Sequence, residues 1–133
     1  MAERTTIQSS GFANVSHEGT ITGFRVRLRQ PNYRGLRLSL IEGIDVTVGD
    51  TTYPAESNCL MLDGAAYTHA QMAEEIATRW PVGVCADVHV PAPGGLQPGV
   101  HDVAVTLRLR HPYFPPQFQP VFVRDQRHIT IIR

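Results

Sequence analysis

A mainly β protein, an antiparallel β-sandwich with one short α-helix, is what this sequence predicts, and three patterns predict it. Between Ile21 and Arg29, the apolar Phe24, Val26 and Leu28 alternate with Arg25, Arg27 and Arg29. That is the period of a strand with one face on a core and the other in water. From Val103 to Arg110 the same alternation sets Val103, Val105, Leu107 and Leu109 against Ala104, Thr106, Arg108 and Arg110. Turn chemistry separates such runs, as in Gly94 to His101, which reads GGLQPGVH and supplies positive or fixed φ where the chain must reverse. A length of 133 residues fits one domain, residues 1–133, that buries about two thirds of its unfolded surface and folds without disulfide staples.

The elements follow in order. Pro31-Asn32 ends the first strand, Tyr33-Arg34-Gly35 forms a loop, and Leu36, Leu38 and Leu40 resume the strand period. Ile44, Val46 and Val48 continue it, and Gly49-Asp50 then offers a hairpin turn before Thr51 to Tyr53, closed by Pro54. A short apolar run from Cys59 to Leu62 stops at Asp63-Gly64. Thr68 is a good N-cap and Gln71 completes a capping box, so a helix of two or three turns is expected before Pro81, with Met72, Ala73 and Ile76 as its apolar stripe. So short a helix is marginal alone, and its stripe and Trp80 must dock on a sheet. Strand pattern returns at Val84, Ala86, Val88 and Val90, with Cys85, Asp87 and His89 opposite. After the arginine-bearing strand, His111 to Pro120 reads HPYFPPQFQP, too rich in proline for a central strand and too aromatic for a free linker. Two final short strands, Val121 to Val123 and His128 to Ile132, are expected to flank a turn at Arg124 to Arg127.

Acidic and basic residues balance at twelve each, so no global field favours nucleic acid or an anionic membrane. Every basic residue other than histidine is arginine, the cation better suited to interfaces because its planar fork pairs with carboxylates and stacks on rings. The stripes Arg25 to Arg29 and Arg108 to Arg110 read as a solvated face or as a partner interface. The amino terminus lacks the apolar run of a signal peptide, and no segment approaches the roughly eighteen apolar residues of a membrane span, so the expected location is the cytoplasm.

The search for chemistry is less productive. Cys59 and Cys85 stand far apart, without zinc-ligand spacing, and read as plain buried or half-buried thiols. The histidines are scattered singly and the serines lack a nucleophile-elbow pattern, so neither a metal site nor a catalytic residue is assigned to this chain. His101 reads either as a general base or as a ring capping a sandwich end and bonding nearby backbone, the second being favoured. Glu42 and Asp45 stand three apart, which in a regular strand puts them on opposite faces and forbids a shared grip on one bond. Tyr113, Phe114 and Phe118 either cover the core or contact a partner.

The stretch PNYRGLRLSLIEGIDVTV, the Arg79-Trp80 pair, GGLQPGVHDVAVTLRLR and the tyrosine-proline loop after it together resemble the small β subunit of bacterial C-glycoside deglycosidases, from about Gly23 to Pro115. The loop His111 to Pro120 carries more prolines and aromatics than that family's pattern. The resemblance implies a β-sandwich-like subunit bound to a larger α subunit with a TIM barrel, in a hetero-oligomer of several αβ pairs. It also implies a divalent metal, usually manganese, in the α subunit and no cofactor in this chain. The complex would cleave the carbon–carbon bond between a 3-keto sugar and an aromatic, flavonoid-type aglycone. On this reading Tyr33, Arg34 and Gly35, with His111, Tyr113 and Phe114, are the candidates for a partner-facing or substrate-mouth end. A free-standing carbohydrate-binding sandwich and a small independent hydrolase are the other two readings.

Overall fold

The computed structural model describes residues 6–30, 36–110 and 121–131. Its strands are β1 (Ala13–His17), β2 (Thr20–Arg29), β3 (Leu36–Arg37), β4 (Ile41–Val48), β5 (Thr51–Tyr53), β6 (Cys59–Leu62), β7 (Ala65–Thr68), β8 (Arg79–Trp80), β9 (Cys85–Pro91), β10 (Gly99–Leu109) and β11 (Val121–Ile131), with one helix, α1 (His69–Glu74). They form a five-stranded sheet ordered β1-β2-β9-β6-β7, a four-stranded sheet ordered β11-β10-β4-β5, and the ribbon β3-β8. Every pairing is antiparallel.

The two sheets share one core. Phe24, Val26, Leu28, Leu60, Val88 and Val90 come from the first, and Ile44, Val46, Val103, Val105, Leu107 and Leu109 from the second. These are the residues that the alternation selects, because a period of two turns every second side chain to one face. The Gly49-Asp50 hairpin forms as expected, with Val48 opposite Thr51. Asn58 is buried beneath it, its Nδ2 donating to the carbonyls of Ile44 and Tyr53 at 2.9 and 3.1 Å.

Several expectations are corrected. Leu36, Leu38 and Leu40 do not continue a strand; two residues pair in the ribbon and Leu38–Leu40 is a 3-10 turn. Strand β7 was not expected, since Ala65-Ala66-Tyr67-Thr68 has little β signal. A turn with positive φ at both Asp63 and Gly64 nonetheless folds it back on β6. The capping box on Thr68 and Gln71 is present, but the helix has six residues rather than two or three turns. Of its expected stripe only Met72 is buried, and Ile76 is 68 % exposed, so little burial is available to extend the helix. Ser39 N–H takes the Glu75 carbonyl directly after it. Trp80 does dock as expected, at 0 % exposure.

The turn at Arg124 to Arg127 is absent. Instead β11 pairs with β10 without interruption from Gly99 opposite Ile131 to Leu109 opposite Val121. Directly opposed residues share a face, so Asp125 opposite Val105 and Arg127 opposite Val103 point inward from an edge strand. What permits this is the segment before β1. Its Ile7 is buried and bridges Leu28 of β2. The Asp125 carboxylate accepts the N–H groups of Thr6, Ile7 and Gln126 at 2.9, 2.8 and 2.9 Å, and Arg127 Nη1 donates to the Ile7 carbonyl at 2.9 Å. The segment is a strap joining the two sheets, and inward charges on an edge also discourage pairing with other chains.

Candidate functional site

Strands β2 and β10 finish at the same end of the sandwich, where β4, β9 and β11 begin. Arg29 stands opposite Cys85, and Leu109 lies between Ile41 and Val121. Backbone bonds close this end: Arg110 N–H to the Leu40 carbonyl at 2.8 Å, Gln30 N–H to the Val84 carbonyl at 3.2 Å, and Leu38 N–H to the Thr78 carbonyl at 3.0 Å. Trp80 sits beneath, opposite Leu36, with Nε1 donating to the Val84 carbonyl at 2.7 Å. Tyr33, Arg34, Gly35, His111, Tyr113 and Phe114 lie outside the described residues, as does Phe118. Their described flanks, Gln30 with Leu36 and Arg110 with Val121, are all at this end.

The arginine stripes are mostly committed within the chain. On the four-stranded sheet Arg108 bridges Asp45 at 3.1 Å, and Arg110 bridges Glu42 at 2.6 Å. This corrects the placement of Glu42 and Asp45 on opposite faces. Gly43 pairs with Arg108 but Ile41 pairs with Leu109, so Glu42 is an extra, bulged residue and both carboxylates reach the outer face. A side chain at Gly43 would collide with the Arg108 guanidinium lying over it. On the five-stranded sheet Arg27 Nε holds Asp87 at 2.9 Å, and Arg25 Nε donates to the Gly11 carbonyl at 3.1 Å. These pairs are half-exposed and act more as spacers that fix register than as large sources of stability.

His89 lies beside this ladder, opposite Arg25 on one strand and Cys59 on the other. Burial pushes its imidazole below the ordinary value of 6.5, with Arg25 adding to the effect and Asp87 opposing it. A lowered folded-state value means that the unfolded chain binds the proton first. Stability from this group is therefore full above about pH 6.5 and is lost as pH falls through the folded value. We expect His89→Gln to flatten the decline in melting temperature between about pH 7 and 5 relative to the parent chain. Superimposable pH profiles would contradict this.

His101 is a structural ring. Its Nε2 is 2.7 Å from the Gln97 carbonyl and it meets Phe12 edge-on at 6.1 Å, at the end where β10 begins. Cys59 is half-buried and Cys85 is exposed, so the expectation of burial fails for Cys85, which heads β9 on the outer face. Among the described residues no three His, Cys, Asp or Glu side chains converge to hold a metal ion, and no helix is long and apolar enough to cross a membrane. The Asp125 and Arg127 clasp escaped the sequence reading. Its only signal was two charges inside an otherwise alternating run, which reads equally as a turn.

Fold and site together define a small antiparallel sandwich whose strand ends gather at one end, where sandwiches commonly carry binding loops. Residues 2–113 match the family described as C-glycoside deglycosidase beta subunit, and the chain belongs to that family. It is 33 % identical over 118 residues to a C-glycoside deglycosidase beta subunit of Eubacterium cellulosolvens, covering 88 % of this chain and 80 % of that one. It is 35 % identical over 134 aligned residues to a 3'-dehydrocarminate deglycosidase beta subunit of a Microbacterium species, covering 97 % and 94 % respectively. A C-glycoside deglycosidase beta subunit of Arthrobacter globiformis is 35 % identical over 89 residues, covering 66 % of this chain and 67 % of that one.

Proposed function

We propose that this chain is the non-catalytic beta subunit of a cytoplasmic, metal-dependent C-glycoside deglycosidase, stabilising a TIM-barrel alpha subunit and shaping its active-site mouth. The observation that carries the reading is the near end-to-end alignment with proteins named as beta subunits, over 88 % and 97 % of this chain. The substrate is a 3-keto sugar joined through carbon to an aromatic aglycone; the name 3'-dehydrocarminate, borne by one relative's substrate, supports an oxidised sugar carbon. A ketone at C3 acidifies the C2 proton; after a base removes it, the enolate collapses to a C1–C2 double bond with the ketone restored, the C1–aglycone bond breaks, and the departing aglycone carbon takes up a proton. A divalent metal, manganese in this reading, would stabilise the developing oxyanion from the alpha subunit. The described residues of this chain form no ligand set for it.

Tyr33, Arg34, Gly35, His111, Tyr113 and Phe114 form the contact end towards the alpha subunit. The Arg110 to Leu40 hydrogen bond, four residues beyond Leu36, supports this by drawing the flanks of both segments together. Co-expression with the alpha subunit of the same genome, followed by sizing, tests the assembly. We expect one co-eluting complex with an interface above about 2,000 Å², weakened by the double substitution Tyr33→Ala and Tyr113→Ala without change in the melting of this chain. Elution of this chain alone beside excess alpha subunit would refute the assembly, and an unaffected double variant would move the contact end elsewhere.

A further inference from the structure

Arginine forks seldom stay idle in a folded chain, and most here do not: on the described surface Arg27 holds Asp87, Arg110 holds Glu42 and Arg124 lies over Phe122 at 5.0 Å. Arg29, Arg37 and Arg79 are different. Among the described residues they have no ion pair and no side-chain hydrogen bond. The ribbon β3-β8 sets Arg37 directly opposite Arg79, both exposed, on the side away from buried Leu36 and Trp80. Like charges facing across a strand pair oppose that pairing. The nearby Glu75 carboxylate does not relieve them; it accepts the Thr78 hydroxyl at 2.7 Å. The Arg29 guanidinium lies beside Gly83, whose chain neighbours Val82 and Val84 are 47 % and 40 % exposed.

We propose that Arg37 and Arg79, together with Arg29 and the exposed Val82 and Val84, which the Gln30 to Trp80 hydrogen bond ties to the ribbon, dock an acidic face of the alpha subunit. The proposal rests on the subunit reading above. Charge complementarity selects the occupant: two adjacent forks accept carboxylates bidentately and lose their mutual repulsion on doing so. The aliphatic residues beside them supply the apolar contact that an interface core requires and that a small anion would leave uncovered. Arg29 ends β2 and Arg37 follows Leu36, so these residues lie at the end where β2 and β10 finish.

The test compares the full-length parent chain with Arg79→Glu and Arg37→Glu, each co-expressed with the alpha subunit of the same genome. Each substitution turns a like-charged cross-strand pair into an opposite-charged one, so the isolated chain should melt at the same or a higher temperature while the Kd of assembly rises at least tenfold. Arg79→Lys, which keeps charge but not the fork, should fall between, and parent assembly should weaken as salt is raised. Parent-like affinity in both reversal variants overturns this surface and leaves the subunit reading intact. Failure of the parent chain itself to assemble overturns both. Loss of folding in Arg79→Glu would show the arginine pair to be structural and would also refute the proposal.

Discussion

Removal of the Trp80 ring should destabilise the chain by about 3–5 kcal/mol, the range for an aromatic cut back to alanine in a packed core. Trp80 is fully buried, stands opposite Leu36 in the ribbon and donates Nε1–H to the Val84 carbonyl. The buried Gln30 side-chain amide donates to the Trp80 backbone carbonyl at 3.2 Å. Trp80 therefore joins the ends of β2 and β9 to the ribbon, and loss of its ring leaves a cavity and takes from the Val84 carbonyl one of its two hydrogen bonds, the Gln30 N–H remaining. Trp80→Phe should cost less, because most of the volume remains and only the Nε1 donor is lost. Thermal or urea unfolding checks both, and an unchanged melting temperature in Trp80→Ala would remove the ring from the account of the fold.

The second large effect is expected at Asp125. Its carboxylate gathers the N–H groups of Thr6, Ile7 and Gln126, and hydrogen bonds to a charged acceptor are the stronger kind. Asp125→Ala should release the strap and destabilise the chain by about 2–4 kcal/mol, allowing for non-additivity among the three bonds and for lost burial of Ile7. Asp125→Asn keeps one carbonyl acceptor and should lose less. Hydrogen exchange reads the event locally: the Thr6 and Ile7 amides should lose protection in Asp125→Ala before the amides of β10 do. Equal protection in parent and variant would show that the strap is held by packing alone.

What was legible in the sequence was whatever burial alternates. Phe24, Val26 and Leu28, then Val103 to Leu109, declare their strands because the inward side chains are large and apolar and the outward ones small, polar or charged. The capping box was legible for a local reason, since both its hydrogen bonds span three residues. The misses are of the opposite kind. The Asp125 clasp joins residues 118 and 119 positions apart, so nothing local distinguishes its inward carboxylate from a turn residue. The bulge at Glu42 depends on the register of β10, which spacing within β4 does not contain. Aromatics and prolines marked the segments proposed as the contact end, whereas Arg37 and Arg79, without an ion pair among the described residues, became visible only when the ribbon set them opposite each other.

The central claim is that this chain serves catalysis only as a subunit. The most direct measurement is turnover of a 3-keto C-glycoside by this chain alone, by the alpha subunit alone and by the co-expressed pair, with the free aglycone quantified and manganese present throughout. The account predicts release by the pair and none by this chain alone. Turnover by the isolated chain, or rates with the alpha subunit that do not depend on this chain, would contradict it.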